Sequence, residues 1–282
     1  MDKIAIALTD DAALRVYAAV TTELVKTAQS IHNTYPVATV ALGRVLTAGV
    51  MMSAMEKNPD TKLTVSFKGG GPIGSIVAVT EKNTRRGYAA VPDVQSTDVG
   101  SAVGKSGFLS VVKDFGSKEP YSSQVRLVSG EIAEDLTYYY ALSEQIPTAI
   151  ALGVSADTLF AGGYVIQLMP GHGENDENTI NEIENKIKIL PPVNVMVAEG
   201  STAEDIISRV LGDISYSILG FAEPKYQCSC SRERVTRVLA AMGKDELQSL
   251  IDDGNGANIN CHFCCESYNF TTDELVSCFA AI

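Results

Sequence analysis

The spacing of apolar residues changes its period along the chain. Ile4, Ile6 and Leu8 alternate as a half-buried strand requires. After Asp10-Asp11, the spacing of Leu14, Tyr17, Val20 (or Thr21), Leu24 and Ala28 predicts one helix. A second helix, from about 36 to 56, opens with Pro36 and is rich in Ala, Val, Leu and Met. Short strands are expected at Lys62–Lys68, Ile73–Thr80, Arg86–Val91, Phe108–Lys113 and Ser123–Val128. Glu131–Gln145 reads as a further helix and Tyr164–Met169 as a further strand. Consecutive strands joined by turns rather than by crossover helices predict an α+β domain with an antiparallel-type sheet, over residues 1–176.

The pattern then breaks at the polar run from Gly171 to Asn178. Ile180, Ile183, Ile187 and Leu190 form a narrow apolar stripe at helical spacing, stopped by Pro191-Pro192. Ser201-Thr202-Ala203-Glu204 has the form of a capping box before Ile206, Ile207, Val210 and Leu211. Two short amphipathic helices cannot make a core of their own. The 177–224 segment is therefore expected to be a helical linker that lies on another surface and can leave it. The last part, 225–282, is expected to be a small module. Val235, Val238, Leu239 and Met242 mark one helix, and Leu247, Leu250 and Ile251 another; Thr271-x-x-Glu274 caps a third.

Composition narrows the possible functions. Hydrophobic residues make up 45% of the 282, enough for a sizeable core. The net charge of −12 disfavours nucleic acid as a partner, since neutralising phosphates needs a basic face. The 225–282 module has the same sign, with five basic residues against eight acidic. The apolar opening stretch is too short for the core of a signal peptide, and no stretch approaches the roughly 20 apolar residues a membrane-spanning helix needs. All six cysteines lie after residue 227, unlike a disulfide scaffold spread through a secreted fold, which points to the reducing cytoplasm.

Four of those cysteines carry the chemistry: Cys228-Ser229-Cys230, then thirty residues, then Cys261-His262-Phe263-Cys264. Two close thiol pairs brought together by the fold make a tetrahedral four-thiolate zinc site. The C-x2-C half is usual for zinc, whereas the C-x-C half points towards redox chemistry. Thiols two residues apart can share one metal, or close a small strained ring that is readily reduced. Such a site suits a switch that is zinc-bound when reduced and disulfide-bonded without zinc when oxidised. A purely structural zinc ribbon fits the same spacing. In either case the 58 residues from 225 to 282 are few for a core of their own, so losing zinc should unfold the module.

Other motifs carry less. Gly69-Gly70-Gly71-Pro72-Ile73-Gly74 matches a dinucleotide fingerprint by letter, but a strand rather than a helix is expected after it, so it reads as a glycine hairpin. Gly104-Lys105-Ser106 has Val99 where a phosphate-binding loop needs its first glycine. His32 and His172 stand alone. His262 sits between the two cysteines of a pair that binds through sulfur, Cys265 offers a substitute for Cys264, and Cys278 reads as a small apolar residue on the last helix. No catalytic residues are identified, and the chain is not expected to be an enzyme.

With these residues in place, the chain resembles the thirty-three-kilodalton heat-shock protein family of redox-regulated bacterial holdase chaperones. The resemblance spans nearly the whole length. It rests on Cys228-Ser229-Cys230-Ser231-Arg232-Glu233-Arg234, on Cys261-His262-Phe263-Cys264, and on Gly130-Glu131-Ile132-Ala133-Glu134-Asp135-Leu136 through Tyr139-Tyr140 to Ser143-Glu144-Gln145-Ile146-Pro147-Thr148. Thr22-Glu23-Leu24, Ala41-Leu42-Gly43-Arg44 and the glycine hairpin are similar too. It implies an ATP-independent chaperone, inactive while reduced with one zinc on Cys228, Cys230, Cys261 and Cys264. Oxidation would form Cys228–Cys230 and Cys261–Cys264 disulfides, release the zinc, unfold the module, free the linker and open apolar surface to unfolding client proteins. The resemblance also implies a homodimer. Cys265 departs from the expected pattern and, with Cys278, offers competing disulfide partners. A thiol–disulfide oxidoreductase and a constitutive zinc-stabilised interaction protein remain as alternatives.

Overall fold

The computed structural model describes residues 1–82, 84–116, 119–171 and 177–279, without the side chains of 177–180 and 279. His172, and most of the polar run expected to bound the first domain, lie outside the described residues. Two compact units emerge, Met1–Gln227 and Cys228–Ile282.

In the first unit, in chain order, are β1 (Lys3–Thr9), β2 (Leu14–Val20), α1 (Thr22–His32), α2 (Pro36–Met55), β3 (Lys62–Lys68), β4 (Ile76–Glu81), β5 (Thr84–Ala89), α3 (Val99–Val103), β6 (Phe108–Asp114) and β7 (Tyr121–Arg126). They are followed by α4 (Ala133–Tyr139), whose last turn widens to a π-turn at Tyr140–Glu144, then β8 (Thr148–Val154), β9 (Ala161–Leu168), α5 (Glu177–Ile189), α6 (Val193–Ala198), α7 (Ala203–Leu211) and β10 (Tyr216–Ala222). The strands form two antiparallel five-stranded sheets, in the orders β10-β1-β2-β9-β8 and β5-β4-β3-β6-β7. The α+β expectation therefore holds.

Helix α2 lies between the sheets. Leu42, Val45, Leu46 and Met51 join Tyr17 and Val165 of the first sheet to Leu63, Val65, Phe67 and Ile76 of the second in one core. A helix buried on nearly every side has no reason to be amphipathic, which is why α2 is apolar all round. By length and composition α2 would cross a membrane, which corrects the expectation that no stretch approaches that length; here it is mostly buried in the protein.

Residues 14–20 also need correction, because they form a strand and the helix starts only at Thr22. Asp10-Asp11 makes a hairpin turn, with Ala12 at φ 59° and the Asp11 carboxylate accepting from Ala13 N at 3.0 Å. Strand β2 is central and covered on both faces, so its apolar residues do not alternate and the period misleads.

The far face of the first sheet carries the expected linker helices. Ala5, Ala7, Val16, Ala18 and Ile166 lie under Met196, Val197, Ile206, Ile207, Val210 and Leu211, with Ile183 beside them. Helix α6 packs closely on β8 and β9, since a Cβ on Gly153 would stand 2.4 Å from Asn194 N and one on Gly162 3.1 Å from the Val193 and Val197 side chains. The cap of α7 is Thr202 rather than Ser201. Its hydroxyl accepts from Asp205 N at 3.1 Å and the Asp205 carboxylate accepts from Thr202 N at 2.8 Å, while Glu204 pairs with Lys3. The 177–224 stretch also contains β10, which continues the sheet beyond β1.

Two carboxylates organise the Gly130–Leu136 segment. Glu131 pairs with Arg44 of α2 at 2.6 Å and accepts from Gly100 N at 3.0 Å. Fully buried Asp135 accepts from Val128 N, Ser129 N and Ile132 N at 2.6, 3.0 and 3.2 Å. Lys113 then anchors the π-turn, 3.0 Å from Glu56 and 3.2 Å from Glu144. Burial alone would lower its pKa; the two carboxylates outweigh that and raise it.

The second unit comprises α8 (Arg232–Ala241), α9 (Lys244–Asp252), a hairpin of β11 (Ala257–Asn260) and β12 (Ser267–Phe270), and α10 (Thr272–Phe279). The three expected helices are present. The hairpin was not foreseen.

Ile206 is fully buried between α7 and the sheet. Ile206→Ala is expected to cost about 2–5 kcal/mol, read as a lower denaturation midpoint of the reduced protein with an unchanged slope.

Candidate metal centre

Each cysteine pair sits where local structure turns it inward. Cys228 and Cys230 directly precede Ser231, the N-cap of α8, whose hydroxyl accepts from Arg234 N at 3.3 Å. The Arg234 guanidinium donates back to Ser229 Oγ at 2.9 Å, and Arg232 reaches Asn269 O at 2.9 Å and Glu274 at 2.6 Å. The arginines of this motif thus fix the start of α8 against β12 and α10. Cys261 and Cys264 lie in the loop of the β11–β12 hairpin. Cys261 N donates to Glu266 O at 2.9 Å and Cys265 N to Cys261 O at 2.8 Å, with Cys265 at φ 58° completing the turn.

The four sulfurs converge, all lying within 4.8 Å of one another. Cys228 Sγ is 3.7 Å from Cys261 Sγ, and Cys230 Sγ is 3.1 Å from Cys264 Sγ. Four thiolates around one ion at about 2.3 Å would stand about 3.8 Å apart, so the cluster has the size and donor set to hold a metal ion. Both of these contacts run between the pairs.

Electrostatics separates the four sulfurs. Burial pushes Cys228 up. Burial also pushes Cys264 up, well above the usual thiol range, reinforced by its hydrogen bond with Cys230. Cys230 moves the other way, because the donors around it, led by the Tyr268 hydroxyl at 3.1 Å, outweigh its burial. Tyr268 is the residue that sequence reasoning missed. It lies four positions beyond Cys264 on β12, and only the hairpin brings its hydroxyl to Cys230.

The remaining candidates stand apart. His262 and Cys265 are exposed and outside the four-sulfur cluster. Cys278 is buried with Leu239, Leu247, Phe270 and Leu275 in the small core of this unit, as its apolar reading anticipated. His32 lies in the first unit, its Nε2 3.3 Å from the Tyr226 hydroxyl.

Known proteins place these observations. The family model described as Hsp33 protein matches residues 2–271. The chain is 44% identical to the 33 kDa chaperonin of Acetivibrio thermocellus, covering 98% of this chain and 96% of that one. It is 42% identical to the 33 kDa chaperonin of Bacillus subtilis, covering 98% and 97%. The crystal structure of the 33 kDa chaperonin (heat shock protein 33 homolog) of Thermotoga maritima superposes with a TM-score of 0.89 at 34% identity, covering 99% and 98% of the two chains.

Among the described residues the core of the second unit has five buried side chains, few enough that a bound ion would contribute much of its stability. Structural metal in small domains contributes about 10–16 kcal/mol to folding. Chelation under reducing conditions is expected to unfold Cys228–Ile282 and leave Met1–Gln227 folded. Residue-resolved amide exchange checks this; protection retained in α8–α10 would contradict it.

Proposed function

The chain belongs to the Hsp33 family, and from that premise we propose that it is a redox-regulated, ATP-independent holdase chaperone. It keeps unfolding and oxidatively damaged proteins from aggregating. The observation that carries this reading is the convergence of four thiols in the unit with the smallest core. Cys228, Cys230, Cys261 and Cys264 would hold one zinc ion, which would keep all four sulfurs as thiolates and supply the folding energy that apolar burial does not.

Each sulfur then has a defined part in the switch. A thiolate attacks peroxide to give a sulfenic acid and hydroxide, and its neighbour displaces the second oxygen to close a disulfide. Two peroxides convert four thiolates into two disulfides and four hydroxides. The Cys228–Cys230 and Cys261–Cys264 pairing closes two local rings and leaves no thiolate for a metal.

Packing within the chain supports the domain roles of this reading. Residues 225–282 form the switch, which unfolds on oxidation. The 177–224 linker helices cover apolar residues of the first sheet, among them Ala5, Val16 and Ile166. Lifting them would offer that surface to clients, while residues 1–176 supply the stable body and the homodimer contacts. The protein is placed in the bacterial cytoplasm, where thiols start reduced, with no role for nucleic acid or a membrane.

Light scattering of a thermally aggregating test protein checks this reading, together with titration of released zinc. The peroxide-treated chain, mildly warmed, should suppress aggregation at near-stoichiometric ratio and release about one zinc per chain, and the reduced chain should do neither. Equal suppression by both forms would mean a constitutive interaction protein. Catalytic turnover of substrate disulfides would mean an oxidoreductase.

A further inference from the structure

The outer edge of β5 is closed by an unusual cover. Facing inward, Arg85 and Gly87 are register partners of Thr80 and Ala78 on β4. Facing outward, Arg85 exchanges both backbone bonds with Gln227, Arg85 N donating to Gln227 O at 3.1 Å and Gln227 N to Arg85 O at 2.8 Å. Two residues along, the Tyr226 hydroxyl donates to Gly87 O at 3.0 Å and accepts from Gly87 N at 3.3 Å. One side chain thus takes the donor and the acceptor that a neighbouring strand would have taken. Tyr226 and Gln227 together satisfy the outward groups of Arg85 and Gly87, and they are the last two residues before Cys228.

The cover is also held by burial of Tyr226 in the core of the first unit and by His32, whose Nε2 lies 3.3 Å from its hydroxyl. Its approach, Glu223 to Tyr226, lines a recess of about 450 Å3 together with Leu24 and Thr27 of α1. Lifting Tyr226–Gln227 would leave four backbone groups of β5 unpaired beside the well-packed second sheet, and such an edge is a template for another strand. The grip uses β5 backbone atoms, so it does not select a client sequence.

We propose that the outer edge of β5 is a strand-addition site for extended segments of unfolded client proteins, covered in the reduced protein by Tyr226–Gln227 and uncovered when the unit beginning at Cys228 unfolds. This rests on the redox-switch reading and names a partner surface for it. The recognition mode is β-augmentation, in which main-chain bonds give affinity. It suits a chaperone whose clients share an extended backbone and no common sequence.

The test uses the full-length oxidised protein and a fluorescent peptide of alternating threonine and valine with lysine at each end. A twin of this peptide, N-methylated at alternate residues, cannot donate along one edge. The oxidised protein should bind the parent peptide about tenfold more tightly than the twin, and the reduced protein should bind neither. Amide exchange at Arg85 and Gly87 should be slow in the reduced form, fast after oxidation, and slow again with the parent peptide. Arg85→Pro removes an outward N–H while sparing the β4 pairing, so after oxidation it should still release zinc but bind the peptide about tenfold less tightly. Equal binding of the twins overturns strand addition. So does a β5-to-β5 dimer of oxidised chains that shuts the peptide out and is lost in Arg85→Pro. If the oxidised chain suppresses aggregation while the twins bind alike, only the edge site fails. If it neither suppresses aggregation nor binds the parent peptide, the switch reading fails with it.

Discussion

The second unit buries little apolar surface, and the proposed switch rests on that shortfall. Leu239, Leu247, Phe270, Leu275 and Cys278 are its buried side chains. The first unit has the opposite character, with α2 enclosed between two sheets and a second apolar layer under α6 and α7. In the proposed switch, chemistry at four sulfurs would therefore decide the fate of one unit without endangering the other. Were the core around Leu247 larger, oxidation would alter the sulfurs and change little else.

The residues that make the chain resemble its family mostly hold structure in place. Ser231 caps α8, Arg232 ties that helix to β12 and α10, Glu131 joins α2 to α3, and Asp135 gathers three backbone N–H groups. Around Cys228 and Cys230 the motif includes its own scaffold: the cysteines supply the chemistry, and the serines and arginines keep them pointed at the other pair.

What was legible in the sequence follows a physical rule. Strands with one polar face, such as β1 and β3, reveal themselves by alternation, and the sulfur pairs by spacing, since both signals are local. Strand β2 was misread because burial on both faces erased its alternation, and Leu14, Tyr17 and Leu24 happened to fall at helical intervals. Helix α6 has only six residues, too few to show a period, and the seven residues of β8 do not alternate in burial, so no strand period marks them. The cap of α7 moved by one residue because Ser201-x-x-Glu204 and Thr202-x-x-Asp205 overlap, and Lys3, distant in sequence, drew Glu204 away. Tyr268 and Tyr226 act through contacts made only by the tertiary fold, and no short-range pattern announces them.

The pairing of β1 with β10 joins Lys3–Thr9 to Tyr216–Ala222, almost the full length of the first unit. A nascent chain therefore emerges with its first strand unable to find its outer neighbour. At synthesis rates of about 5–20 residues per second, that strand waits roughly 10–40 seconds. Until then the first sheet has an open margin at β1, and loop closure over so long a span is slow. The cysteine-bearing segment follows β10 in the chain, so it is translated after the strand that closes that margin has become available. Chain order thus lets the first unit finish before the cysteine-bearing segment exists.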